Sequence, residues 1–203
     1  LSAVLIDGDT GRVLWGKDEN KPMAMASTTK IMTAIITLEN SDLQDKVIVS
    51  KNATLAPPVK MHLQQGEELT LEQLLYALLM QSSNDAAVAI AEKVGGSVDN
   101  FCLMMNKKAR ELGCTDTEFV TPNGLDKGNH HSTARDMALI GAYAIKNKEF
   151  IRISNTQNVS FTSNKKNYSI VNKNQLLNSY EGAIGIKTGF TGKAGHCFVG
   201  AAK

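Results

Sequence analysis

Apolar residues recur at Ile31, Ala34, Ile35 and Leu38, the stripe of a helix with one face in a core. Met32 and Ile36 widen that stripe, so the spacing predicts a helix enclosed nearly all round. The same period returns at Leu71, Leu74, Leu75 and Leu78, behind the capping-box pattern Thr70-Leu71-Glu72-Gln73. Gln81 to Ser83 interrupts it, and Ala87, Ile90, Ala91 and Val94 carry it on to Gly95-Gly96. Ser97 is placed to cap a further helix, whose inner side is Val98, Phe101, Cys102, Met105 and Leu112 and whose end is Gly113. Ser132 or Thr133 starts another, with Met137, Ile140, Gly141 and Ala144 on one side.

The chain ends follow a different rhythm. Ser2 to Asp7 and Arg12 to Lys17 are short apolar-rich runs joined by Gly8-Asp9-Thr10-Gly11, a hairpin signal, with Leu14 and Trp15 expected to pack on the sheet. Lys46 to Val49 is a short strand candidate. From Asn155 onward the pattern is β-like: Val159 to Thr162, Tyr168 to Val171, Ala183 to Phe190 and His196 to Ala202. Pro57-Pro58 and the stretch to Gly66 predict irregular backbone. Strands at both ends and helices between them predict an α+β fold, with the terminal strands in one antiparallel sheet. The expected division is one domain over 1–203, with a sheet region of 1–26 plus 150–203 and a helical region of 27–149.

Composition narrows this without redirecting it. At 203 residues, 42% hydrophobic and 21% charged, the chain is long enough for a substantial core. A net charge of +2 with no basic block argues against a dedicated nucleic-acid binder. Lys107-Lys108 and Lys165-Lys166 read as solvated surface. No apolar run approaches a membrane span, and no signal peptide is visible at Leu1, as expected of a trimmed mature chain. Cys102 and Cys114 would lie about 18 Å apart along a continuous helix, too far for a bridge, so these and Cys197 read as core residues. His130-His131 lacks metal-ligand spacing and reads as loop, and His62 and His196 read as structural or surface; no metal or cofactor is expected.

The candidate chemistry lies at the head of the first helix. Ser27 and Lys30 are one turn apart in Ala26-Ser27-Thr28-Thr29-Lys30, which holds a hydroxyl and an amine on one face. A serine becomes a good nucleophile when a neighbouring base takes its proton. For lysine to be that base near pH 7, its proton affinity must fall by about three pH units, about 4 kcal/mol. Burial and a second cation both act that way. Alone, the tetrapeptide is better read as an N-cap followed by a solvated lysine, and the spacing recurs at Ser163-Asn164-Lys165-Lys166. Two further segments change the weighing: Gln81-Ser82-Ser83-Asn84-Asp85 at a helix break, and Lys187-Thr188-Gly189, which occurs once.

In the order Ser-x-x-Lys, Ser-x-Asn, Lys-Thr-Gly, these segments form the signature of penicillin-binding proteins and serine β-lactamases. Together with Pro122-Asn123-Gly124-Leu125, His131-Ser132-Thr133-Ala134-Arg135-Asp136-Met137-Ala138 and Gly185-Ile186-Lys187-Thr188-Gly189, the chain resembles the D-alanyl-D-alanine carboxypeptidases from Leu1 to Lys203. The resemblance implies a five-stranded sheet flanked by helices, the β-lactamase/transpeptidase-like arrangement. It implies Ser27 as nucleophile, Lys30 as general base, and Ser82 as proton relay to the leaving amine. Asn84 would hold the substrate's peptide group. Lys187 and Thr188 would take the substrate carboxylate, Gly189 would admit an extended peptide beside the strand, and the backbone N–H groups of Ser27 and Phe190 would form an oxyanion hole.

The implied activity is removal of the terminal D-alanine from peptidoglycan stem peptides, with covalent binding of β-lactams, outside the cytoplasmic membrane. The rivals are a serine β-lactamase and a catalytically silent sensor of cell-wall peptide. Against the first, Gln175-Leu176-Leu177-Asn178 has an amide where the commonest β-lactamases carry a glutamate. The resemblance also places a further sheet strand, a β-rich domain and an amphipathic membrane anchor beyond Lys203. Asp85 and Asp136 are expected to do no more than complement helix dipoles.

Overall fold

The computed structural model describes residues 1–203. In chain order the elements are β1 (Ala3–Ile6), β2 (Val13–Lys17), a 3-10 turn at Ala26–Thr29, α1 (Lys30–Asn40), β3 (Lys46–Ile48), α2 (Lys51–Thr54), β4 (Glu68–Thr70) and α3 (Leu71–Met80). They continue with α4 (Asn84–Gly95), α5 (Val98–Glu111), α6 (Ala134–Ala144), α7 (Lys148–Asn155), β5 (Asn158–Thr162), β6 (Asn167–Val171), α8 (Leu176–Ser179), β7 (Ala183–Thr191) and β8 (Gly195–Ala202).

The doubled stripe of α1 has the expected consequence: every residue from Lys30 to Thr37 is buried. The helix is enclosed by α3, α4, α5, α6 and α7 and touches β7. Its neighbours are fixed locally by their ends. Thr70 and Gln73 close the capping box that opens α3, and the hydroxyls of Ser97 and Thr133 accept the N–H groups of Asn100 and Asp136 to open α5 and α6. One contiguous core results, with Leu71, Leu74, Leu75, Leu78, Ile90, Phe101 and Phe150 fully enclosed.

The strands form four antiparallel pairs, β1-β2, β3-β4, β5-β6 and β7-β8. The terminal hairpins β1-β2 and β7-β8 both rest on α6. No ladder joins them, so the terminal strands do not share the one antiparallel sheet that the strand pattern predicts. Thr188 faces Phe198 and Gly189 faces Cys197 across the β7-β8 ladder. None of the helices is long and apolar enough to cross a membrane.

Several expectations need correction. Leu14 and Trp15 do not pack on the sheet: every residue of β2 is exposed, because α6 covers β1 and nothing lies across its partner. Helix α7 falls where no helix was expected. It is a single short helix of 8 residues whose deeply buried apolar anchors are Phe150 and Ile153; Asn147 starts it by accepting the N–H groups of Glu149 and Phe150. Lys108 is not free surface, since its ammonium meets Glu39 at 2.8 Å, and Lys165 and Lys166 reach the carbonyls of Gln65 and His62. All three cysteines are free; Cys102 and Cys114 are buried and Cys197 half-buried.

Because Leu74 is fully buried on α3, which packs against α1 and α4, Leu74→Ala is expected to lower unfolding stability by about 2–5 kcal/mol. Urea denaturation checks this, and a loss under about 1 kcal/mol would contradict the enclosure.

Candidate active site

Ser27 does not cap α1. It sits inside the 3-10 turn, so the chain is already helical when it reaches Lys30, and neither end residue of the turn makes a side-chain cap. The tighter turn stacks Lys30 directly over Ser27, since residues three apart eclipse in a 3-10 helix. Ser27 Oγ lies 2.9 Å from Lys30 Nζ.

The lysine amine has two other partners. Asn84 Oδ1 lies at 2.8 Å and the Asn123 carbonyl at 2.6 Å. Three segments far apart in sequence therefore meet on one nitrogen. A neutral amine has two N–H groups and one lone pair. The surroundings match it: two carbonyl oxygens to accept, and one hydroxyl to give up its proton. Lys30 has no exposed surface, and burial holds its proton affinity well below the ordinary lysine value. Lys187 pushes the same way and Asp85 opposes.

The Asn123 carbonyl was missed because a main-chain acceptor leaves no trace in residue type. Pro122-Asn123-Gly124-Leu125 is legible in the sequence only as part of the family pattern. The loop is anchored by the Thr33 hydroxyl, which donates to the Pro122 carbonyl at 2.6 Å. Gly124 has φ +86°, and a Cβ there would lie 1.9 Å from the Ala26 carbonyl oxygen, so only glycine lets the loop close on the nucleophile turn.

The Asn84 carboxamide bonds inward. Its Nδ2 donates to the carbonyls of Pro57 and Pro58, and its Oδ1 faces Lys30. The carboxamide is fully committed within the protein, and the residue is buried. In this conformation it positions the lysine and the 57–63 loop and offers no donor to a peptide. Asp85 is also more than a dipole partner. Fully buried, it accepts the N–H groups of Met61, Leu63 and Ala86, which fastens the same loop to the head of α4. Asp136 likewise crosses to another loop, accepting from Asp116 N–H and the Thr117 hydroxyl.

Ser82 lies at the break before α4 with φ +67°, a strained value for serine. Its Oγ is shielded from solvent and has no hydrogen-bond partner, so in this conformation it makes no hydrogen bond to Lys30 or Ser27. Lys187 is buried on β7 and donates to the Thr188 carbonyl at 2.9 Å. Burial, with Lys173 adding to it, lowers its pKa to about 7. Thr188 is half-buried, and Phe190 stands exposed with its ring 4.8 Å from that of His196. Gly189 faces the turn: a Cβ on it would lie 2.8 Å from the Ser27 nitrogen. His130 lies on a loop but is buried, between Thr29 and Val120. No cluster of metal-ligating side chains occurs.

The sequence model for D-alanyl-D-alanine carboxypeptidases (Peptidase S11) matches residues 1–203. The chain belongs to this family. It is 40% identical to the D-alanyl-D-alanine carboxypeptidase DacF of Bacillus subtilis over all of this chain and 54% of that protein. It is also 40% identical to a D-alanyl-D-alanine carboxypeptidase of Mycobacterium tuberculosis, over 98% of this chain and 69% of the relative. The chain thus spans between about half and two thirds of these relatives. The crystal structure of a carboxypeptidase from M. tuberculosis superposes with a TM-score of 0.95 at 39% identity, covering all of this chain and 77% of the other. A Streptomyces DD-transpeptidase mutant superposes at 0.94 with 33% identity, covering 100% and 85%. The penicillin-recognising fold expected from the three motifs is therefore the fold of this family member.

The approach of β7 to the nucleophile turn leaves no room for a side chain at Gly189, whereas a Cβ at Gly192 would meet nothing within 4 Å. Gly189→Ala is expected to slow acylation by penicillin about 100-fold or more, with Gly192→Ala close to the parent. Second-order acylation rates of the two variants check this; equal rates would contradict it.

Proposed function

We propose that this chain carries the machinery of a serine-type D-Ala-D-Ala carboxypeptidase, acting through an acyl-enzyme on peptidoglycan stem peptides outside the cytoplasmic membrane. The observation that carries the reading is the contact of a desolvated lysine amine with the Ser27 hydroxyl, held by Asn84 and the Asn123 carbonyl. The names of the relatives support the substrate class.

In this reading Ser27 Oγ attacks the carbonyl of the penultimate D-alanine while Lys30 accepts its proton. The carbonyl oxygen gains charge in the slot between the turn and β7, facing the N–H groups of Ser27 and Phe190. The C–N bond then breaks, and the departing D-alanine takes a proton back from Lys30, with the unpartnered Ser82 hydroxyl as relay. Lys187 and Thr188 bind the terminal carboxylate. A water, deprotonated by the same amine, releases the shortened peptide. β-Lactams acylate Ser27 by the same attack.

Slow release of such an adduct is also expected. The carboxylate felt by Lys30 is Asp85, and its oxygens already accept three backbone N–H groups, so it is poorly placed to activate water. Gln175 is exposed at the start of α8 and supplies no carboxylate either. This favours a carboxypeptidase over a β-lactamase.

Intact mass spectrometry after penicillin treatment is expected to show one adduct, mapped to Ser27. D-Ala release from a diacetyl-Lys-D-Ala-D-Ala peptide is expected to vanish in Ser27→Ala. Rapid steady-state turnover of a chromogenic cephalosporin would favour a β-lactamase, and an absent adduct would leave only a binding role. The pH dependence has a definite sign. Lys30 must be neutral, so acylation falls as pH drops through its depressed pKa. Lys187 must be charged to hold a carboxylate, so kcat/KM falls from about pH 7 upward as it loses its proton.

A further inference from the structure

His130 is nearly without solvent exposure, and both ring nitrogens are engaged. Nδ1 accepts the backbone N–H of Val120 at 3.0 Å. A backbone amide can only donate, so Nδ1 carries no proton and Nε2 does. Nε2–H then donates to the Thr29 hydroxyl at 2.8 Å. The tautomer is dictated by the neighbours. The two ends of this link matter. Thr29 is fully buried and stands between Ser27 and Lys30 in the nucleophile turn. Val120 opens the loop whose Asn123 carbonyl lies 2.6 Å from the Lys30 amine.

We propose that His130 is a positioning residue of this active site: as a neutral imidazole it struts the nucleophile turn against the Val120–Gly124 loop, so that the Ser27 hydroxyl and the Asn123 carbonyl meet on the same amine. Other ties hold the loop, namely Thr33 to the Pro122 carbonyl and the side-chainless contact at Gly124. His130 is the tie that can gain a proton. An imidazolium would present N–H to the Val120 N–H, donor against donor, and the strut would fail. The charged and titratable groups facing the ring are Asp126 and Glu118 from the loop, His131 beside it and Lys193 from the β7-β8 turn, and the Phe119 ring meets it edge-on at 6.0 Å. Burial outweighs the two carboxylates and pulls the His130 pKa down to about 4, which keeps the strut intact over the working range.

The inference rests on Ser27 being the acylated residue, and wild-type acylation tests that separately. The experiment measures second-order acylation by a fluorescent penicillin from pH 3.5 to 8 in wild type, His130→Asn and His130→Phe. Phe makes neither bond and is expected to lower the rate at pH 7.5 about 10- to 100-fold. Asn, whose Oδ1 can still accept from Val120 N–H, is expected to lose less. In wild type the acid limb should steepen below about pH 4, where His130 protonates in addition to Lys30; in His130→Asn that second break should be missing.

Nitrogen-15 NMR of the wild-type rings gives a readout independent of any variant's folding. His130 is expected to show the Nε2–H tautomer and to titrate near pH 4. Wild type that is acylated at Ser27, with both variants within twofold of it and an unchanged pH profile, would overturn the strut alone. So would a His130 that titrates near 6.5. Wild type that is never acylated would overturn the parent reading instead.

Discussion

Taking the Lys30 amine out of water is the constraint on which the rest of the structure depends. An uncompensated buried cation would cost several kcal/mol, so the site is built to hold the amine uncharged and still satisfy it. Its three partners come from the turn before α1, the head of α4 and the Pro122–Leu125 loop. Losing any one would leave a buried donor or lone pair open. The fold around α1 follows from this need. The helix must be enclosed for the amine to be dry, and the enclosing helices must deliver their ends and loops to one point.

Much of the supporting structure consists of backbone polar groups held by buried side chains. Asn84 and Asp85 together bind the carbonyls of Pro57 and Pro58 and the N–H groups of Met61 and Leu63, which fixes an irregular loop that has no ladder of its own. Glu67, fully buried, accepts from Ser163, Tyr168 and Gln64 N–H and ties the β5-β6 hairpin to that loop. His130 does the equivalent on the other side of the amine. Where contact is too close for any side chain, glycine appears, at Gly124 against Ala26 and at Gly189 against Ser27. These are longer-range versions of the rule that buried backbone groups find partners.

The sequence made the Ser27–Lys30 pair and the lysine-bearing strand legible because each is a residue type whose chemistry is unusual at its spacing. The helical middle was legible through its 3.6-residue period, and Thr70, Ser97 and Thr133 marked helix starts. What escaped has a common physical origin. The Asn123 carbonyl is a main-chain atom. The commitment of the Asn84 carboxamide to Pro57 and Pro58 depends on a loop path that no local pattern encodes. Asp85 and Asp136 read only as helix-dipole partners and His130 only as a loop residue, because their bonds to distant segments come from tertiary burial, which composition does not encode. Helix α7 is a single short helix of 8 residues, and the exposure of Trp15 depends on what lies across β2.

The central claim is that the amine beside Ser27 holds its proton far less tightly than an ordinary lysine, because it is buried. Its most direct test is a carbon-13 NMR titration of the lysine Cε resonances, with Lys30 assigned by its loss in Lys30→Arg. The account expects the Lys30 resonance to titrate well below the ordinary lysine value. A Lys30 resonance that titrates at that value or above it would contradict it.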